Sequence, residues 1–349
     1  MVPGKMAFTG GVDPKMGLGV ETSSGSDEMP ESEAGTSEAI AVPPEPPTGG
    51  LALLVWRLGG LVMTVRPHQW VKNVAVLAPM VFARELFVFD MLVRAVGAFG
   101  VFCLLAGAVY TMNDLVDIDA DAVHPIKRFR PLPSGRVPLS WGKAAAVGLV
   151  LVSLAGAAIG PWEFLVTAMA YFVLNIAYSF RLKKIAYVDV ILIAAGFVLR
   201  ALAGGFATHT EVSAYLILCI ALGALFLGLG KRRHELSSIG KGGGKQRAAL
   251  GGYSRRGLKW ALRATAVATV TAYLAYTLDR DTMEFFHSSN LWWTTIFVLL
   301  GVWRFLVLVR SRPKAESPTQ EMLRDGPFVA IVFTWAVVVL WVVYNLGPA

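Results

Sequence analysis

Cysteine is scarce in this 349-residue chain: there are two, Cys103 and Cys219, each inside an apolar run. Two buried thiols offer neither a disulfide framework nor a cysteine-based metal site. Charge is scarce too. Charged residues make up 16% of the chain, against about 25% in an ordinary soluble domain. Hydrophobic residues reach 55%, and mean hydropathy is +0.57. They fall in long continuous runs, which exclude a soluble globular enzyme and require a bilayer. The runs do not alternate, which argues against a membrane β-barrel. A nucleotide-binding glycine loop is also missing. Gly240-Lys241-Gly242-Gly243-Gly244-Lys245 follows no strand and lacks the Walker spacing, so it reads as a flexible linker or loop lid.

The net charge of +8 conceals a split. Residues 1–48 hold eight acids and two lysines, leaving the other 301 residues with 30 Lys+Arg and 16 Asp+Glu. The first 48 residues are rich in Gly, Ser, Pro and Glu and have no sustained apolar stretch. They read as a disordered acidic tail, because they cannot bury enough surface to offset ordering entropy. No basic start leads into an apolar core there, so they do not read as a signal peptide. Residues 49–349 form the second region. With no basic soluble domain, nucleic acid is a poor partner. Phosphate-bearing ligands or anionic lipid headgroups suit the basic charge better.

Nine candidate spans follow: 69–83, 92–112, 139–159, 162–180, 187–207, 212–230, 258–278, 291–310 and 327–346. Most are near the ~20 residues a helix needs to cross about 30 Å of hydrocarbon. The expected fold class is all-α, a polytopic bundle of nine transmembrane helices. The first span is weakest, because Lys72 and Asn73 interrupt its start; a helix beginning near Leu61 would be long enough. The loops after spans 2, 4, 6 and 8, counted with the span ends that flank them, carry 21 lysines and arginines; the odd-numbered loops counted the same way carry three. The positive-inside rule then puts the even loops and the N-terminus in the cytoplasm and the C-terminus outside. Arg263 and Arg304, near cytoplasmic span ends, are expected to snorkel. Arg200 lies about 16 Å along its helix from Asp189. It would snorkel outward or pair inside the bundle, with no catalytic role assigned.

The sharpest feature is Asn113-Asp114-Leu115-Val116-Asp117-Ile118-Asp119-Ala120-Asp121, at the end of span 2. Asp114, Asp117 and Asp121 are spaced i, i+3, i+7, which on one continuous helix puts all three carboxylates on one face. Three such carboxylates repel one another unless a cation intervenes. Oxygen-only ligands suit Mg²⁺, which shares its coordination sphere with substrate phosphates. His124-Pro125 ends the helix. Lys127, Arg128 and Arg130 follow, and then Arg136. An acidic face beside a basic loop is what a metal–diphosphate complex requires, although the basic loop alone also serves as a topology signal.

Three further clusters lie on the same side. Arg66-Pro67-His68-Gln69-Trp70-Val71-Lys72-Asn73 precedes span 1. Asn175 to Lys184, with Tyr178, Ser179 and Lys183, closes span 4. Gly230-Lys231-Arg232-Arg233-His234-Glu235 closes span 6. Lys231 and Glu235 share a helical face, so a cation and a carboxylate could meet one ligand. Asn175 and Ser179 suit bundle hydrogen bonds equally well, and His234 reads either as a ligand-binding group or as a solvated loop histidine.

Together these motifs resemble the UbiA-type intramembrane prenyltransferase superfamily, whose members have nine helices and an N-D-x-x-D-x-x-x-D motif after the second. The resemblance covers about residues 60–346. One departure is informative: the second aspartate pair common after helix 6 is replaced here by Lys231-Arg232-Arg233-His234-Glu235. The combination of Arg66-Pro67-x-Gln69-Trp70-x-Lys72-Asn73, His124-Pro125-x-Lys127-Arg128-x-Arg130-Pro131 and Gly230-Lys231-Arg232 is similar to the actinobacterial branch that transfers phosphoribose to decaprenyl phosphate. That resemblance implies a membrane glycosyltransferase. Its substrates would be phosphoribosyl diphosphate and a polyprenyl phosphate lipid, its cofactor Mg²⁺, and its place the cytoplasmic face of the cell membrane, with a product feeding cell-wall arabinan. It implies Asp114, Asp117 and Asp121, with Asn113, as metal ligands and catalytic groups. Lys72, Asn73, Lys127, Arg130, Tyr178, Lys183, Lys231, Arg232, His234 and Glu235 would then be substrate-binding. Two other readings stand beside it. One is ordinary prenyl transfer to an aromatic acceptor, which would want the missing aspartate pair. The other is a transporter of anionic solutes, which would want polar sites at mid-membrane.

Overall fold

The computed structural model describes residues 45–238, 248–311, 322 and 324–344. Apart from residues 45–48, the expected disordered tail lies outside the described residues, as does the Gly240–Lys245 segment. Among the described residues the chain is helical throughout, with no strand. Helices α3 (Phe89–Val116), α5 (Leu139–Ala158), α6 (Trp162–Phe180), α7 (Val188–Thr208), α8 (Ala214–Ser238) and α12 (Gly326–Val343) are long and apolar enough to cross a bilayer. So is Asn290–Arg310, which contains most of α11 (Thr295–Ser311). The chain is therefore a multi-pass membrane protein.

The first expected span departs from a plain helix over 69–83. Helix α1 starts at Gly50 and ends at Val65, a 3₁₀ segment covers Pro67–Leu77, and the short α2 covers Ala78–Phe82. The two parts bend by 43° and together qualify as one broken span. The break has a local cause. Pro67 bars Arg66 from the α region, and Arg66 adopts the left-handed conformation, φ 56°. The expected span 258–278 is helical within α9 (Arg255–Leu278) but too polar to join the set, because Arg263 and four threonines interrupt it. Among the described residues, seven helices pass on length and apolarity, or eight with the broken pair.

Two apolar cores organise the bundle. Val76, Phe102, Leu105, Ala157, Phe164, Tyr171 and Ala203 join the 3₁₀ segment to α3, α5, α6 and α7. Val190, Phe226, Leu229, Leu258, Leu262 and Phe305 join α7 to α8, α9 and α11. Helix α7 belongs to both, so it is the wall between the two halves. Its Gly204 lies directly against the 3₁₀ segment. A Cβ there would sit 1.8 Å from the Val76 carbonyl oxygen, so only glycine permits this approach.

The spans also hold ionic surprises. Arg304 has a specific partner at the start of α12. It donates to both oxygens of Asp325 at 2.9 and 2.7 Å, and Asp325 caps α12 by accepting from the Phe328 amide. Arg263 lies over the Trp260 ring, 5.4 Å from its centroid. Arg200 stays inside the bundle, hydrogen-bonded to neutral oxygens, as described below. Helix α8 runs to Ser238, eight residues past the expected end of span 6. The Lys231–Glu235 segment is therefore helical rather than a loop.

Candidate functional site

The acidic motif does not continue as one helix. Helix α3 stops at Val116; Asp117, with φ −91° and ψ 8°, caps it, and the short α4 (Ile118–Ala122) follows. This break separates the three carboxylates, contrary to the single-face expectation. Asp114 and Asp121 are both buried and are bridged by one guanidinium. The Arg130 Nη1 donates to Asp114 Oδ1 at 3.1 Å and to Asp121 Oδ2 at 2.5 Å. Arg66 donates to Asp114 as well, and the Lys127 ammonium stands 3.5 Å from Asp121. Asp117 faces elsewhere. It lines a recess of about 210 Å³ with Asn113, Ser179, Lys183 and Lys184. Among the described residues, no three His, Cys, Asp or Glu side chains gather closely enough to hold a metal ion.

Local sequence explains how the cations arrive. The left-handed turn at Arg66 swings its side chain over the Tyr110 ring, 5.0 Å from the centroid, and onto Asp114. The His124 imidazole Nδ1 accepts the backbone N–H groups of Ile126 and Lys127, which closes the turn carrying Lys127. Arg130 is extended before Pro131, with ψ 151°, and so reaches back to the motif. Arg136 is structural: it donates to the Trp56 carbonyl at 2.9 Å and lies over the Trp56 ring, tying α1 to this loop.

A metal here would meet Asp114 and Asp121 first. The ligands are oxygens, the two buried carboxylates face one common point, and a cationic group already sits between them. That chemistry fits a hard divalent cation sharing its sphere with phosphate. Asp114 and Asp121 would supply its carboxylates.

The remaining sequence-derived residues divide. Lys72, half-buried in the 3₁₀ segment, is electrostatically coupled to Lys231, Arg200 and Arg66. Tyr178 is coupled to both Arg232 and Tyr110. Of the cations that act on Lys72, Arg66 is the one paired with Asp114. Arg232 does not stand open for a phosphate: it is 1% exposed and held by Asp189 at 2.7 Å and by Glu235. Glu235 thus serves Arg232, rather than sharing a ligand with Lys231. His234 is buried on α8, not solvated. Asn73 is also buried. It accepts from Arg200 Nε at 2.7 Å, and its amide donates to Cys103 Sγ at 3.3 Å. Asn175 donates to the Tyr171 carbonyl one turn earlier, a helix-internal bond.

Residues missed from sequence complete this picture. Asp189, fully buried at the start of α7, meets Arg232 and accepts the Tyr253 hydroxyl. Tyr253 also accepts the Tyr187 backbone N–H at 2.9 Å. Burial, and then the hydrogen bond to Asp189, push the Tyr253 phenol well above its ordinary pKa, so it stays a donor. No local pattern linked positions 189, 232 and 253. An ionisable residue at a span start was the available signal.

Two apolar crevices of about 250 and 280 Å³ adjoin along α8, α9, α11 and α12 and share Thr269, Val298 and Trp335. A larger cavity, about 640 Å³, lies beyond the other end of α7, between Glu85, His209, Asp279 and Phe286. None of the motif residues lines it.

Comparison with known proteins places this architecture. The model of the UbiA prenyltransferase family matches residues 74–324. Proteins named decaprenyl-phosphate phosphoribosyltransferase are similar over most of the chain. The one from Mycolicibacterium smegmatis is 34% identical over 291 residues, 80% of this chain and 90% of its own length. The one from Corynebacterium glutamicum is 32% identical over 299 residues, 82% and 87% respectively. In fold, the chain is similar to a UbiA homolog from Archaeoglobus fulgidus solved with GPP and Mg²⁺. The TM-score is 0.61, with 18% identity, over 82% of this chain and 99% of that one.

Proposed function

The chain belongs to the UbiA prenyltransferase family, and from that premise we propose that it is a membrane phosphoribosyltransferase. It transfers 5-phosphoribose from phosphoribosyl diphosphate to a polyprenyl monophosphate, decaprenyl phosphate, and releases diphosphate. The observation carrying this reading is the pair of buried carboxylates bridged by Arg130, set beside the cations Lys127, Lys183, Lys72 and Lys231. A donor with a diphosphate at one end and a phosphate at the other needs both. The relatives' shared name supports the substrate class.

Mg²⁺ bound at Asp114 and Asp121, with Asn113 and Asp117 adjoining, would supply Lewis acidity to the departing diphosphate. Arg130 and Lys127 neutralise the remaining negative charge there. Lys183, with Ser179 in the recess beside Asp117, is placed for a second phosphate. The C1–O bond to diphosphate breaks as an oxygen of the acceptor phosphate bonds to C1. That oxygen is already ionised, so no strong general base is required. Tyr178 would orient the acceptor or a ribose hydroxyl. The adjoining apolar crevices suit the lipid tail. The loop charges favour a cytoplasmic site in the cell membrane, with the C-terminus outside. There the water-soluble donor would meet the lipid and supply a precursor for cell-wall arabinan.

The test uses detergent-purified protein, Mg²⁺, a polyprenyl monophosphate and radiolabelled phosphoribosyl diphosphate. Label should enter the organic phase and fail to do so with EDTA or in Asp121→Ala. Absence of transfer, with activity from a prenyl diphosphate onto an aromatic acid instead, would move the chain to ordinary prenyl transfer.

A further inference from the structure

Arg200 lies within the α7 span and is 7% exposed. Among the described residues, no carboxylate stands within ion-pair distance of it. Its guanidinium donates only to neutral oxygens: Asn73 Oδ1 at 2.7 Å, the Gly196 carbonyl at 2.9 Å and the Tyr171 hydroxyl at 2.6 Å. The Tyr171 and Phe197 rings flank it, 4.6 and 5.2 Å from its centre. A cation at this depth without an anion is costly, and bilayer proteins keep such groups for function.

The bonds of Arg200 show what it holds. They tie α7 to α6 and to the 3₁₀ segment of the broken first span, and they meet that segment at Asn73. The next residue is Lys72, which also has no carboxylate within ion-pair distance among the described residues. Lys72 is coupled to the like charges of Arg200, Lys231 and Arg66. The segment is seated a second time where Val76 lies on Gly204. A neutral side chain at position 200 would serve packing alone. A guanidinium also raises the positive potential around Lys72, which favours an anion there.

We infer that Arg200 is a positioning residue: through Asn73 it holds Lys72 as a binding group for a substrate phosphate, and its own charge strengthens that site. The inference rests on the proposed phosphate-bearing substrates. The phosphate could belong to the donor's diphosphate or to the lipid headgroup.

The test measures binding of two probes, inorganic diphosphate and a short-chain polyprenyl monophosphate, to the full-length protein in detergent by calorimetry. Arg200→Met, Asn73→Leu and Lys72→Met should each weaken the same probe about tenfold. Arg200→Met combined with Lys72→Met should lose clearly less than the product of the two single losses, because residues acting as one unit are not additive. The KM for the corresponding substrate should rise while kcat stays within about twofold. The probe that responds identifies the phosphate. Asn73→Leu leaves both cations in place, so its loss reads the tie rather than the charge. Tyr171→Phe removes a different Arg200 bond and should stay within about twofold; a tenfold loss there would indicate general loosening and overturn the inference. Additive losses in the double variant, or unchanged affinity in Arg200→Met, would overturn it too. Wild-type protein that binds neither probe would overturn the phosphate reading along with it.

Discussion

Two carboxylate centres sit in the same bundle and are neutralised in different ways. At Asp114 and Asp121 the partners are half-open: the side chains of Arg66, Arg130 and Lys127 are 25, 31 and 44% exposed. At Asp189 the partner Arg232 is 1% exposed, and Tyr253 closes the other side. Exposed cations can swing away when a stronger ligand arrives, at little solvation cost. A guanidinium sealed beside its carboxylate cannot leave without stranding two buried charges. The first centre is built for exchange and the second for permanence. Motif resemblance put Arg232 among the binding residues; burial assigns it to the frame.

The comparison can be broken at four points. Asp121→Asn removes an exchangeable carboxylate. Transfer should fall about 10³-fold, while the thermal midpoint in detergent barely moves. Asp189→Ala leaves the buried Arg232 with Glu235 alone. It should cost about 3 kcal/mol of stability by denaturant unfolding, with activity per folded molecule largely kept. Arg130→Lys replaces a fork that spans both carboxylates by a single ammonium. A turnover loss of about tenfold is expected in the transfer assay. Tyr253→Phe removes only the hydroxyl donated to Asp189 and the acceptor for the Tyr187 amide. About 1 kcal/mol of stability should be lost in the same unfolding assay.

The sequence made the helices and the exchangeable centre legible for a common reason. Apolar runs declare spans, and Asp114, Asp121, Lys127 and Arg130 lie within 17 consecutive residues, close enough for spacing to signal contact. It could not show the break at Asp117, because nothing in Val116-Asp117-Ile118 forbids a helix. It also hid the second centre. Asp189, Arg232 and Tyr253 are brought together only when α7 and α8 pack, and helical periodicity carries no information across such distances. The partner of Arg304 was hidden similarly: Asp325 lies 21 positions on and is also the cap of α12. Arg200 stood out as an ionisable group in a span, but its tie to Asn73, 127 positions away, needed the fold.

The most direct test of exchange against permanence is a thermal shift with Mg²⁺ and inorganic diphosphate added together. The wild-type protein should be stabilised by several degrees through ligand linkage. Asp189→Ala should start lower and gain a similar increment, while Asp121→Asn should gain none. An increment that survives in Asp121→Asn, or vanishes in Asp189→Ala, would contradict the division of roles drawn between these two centres.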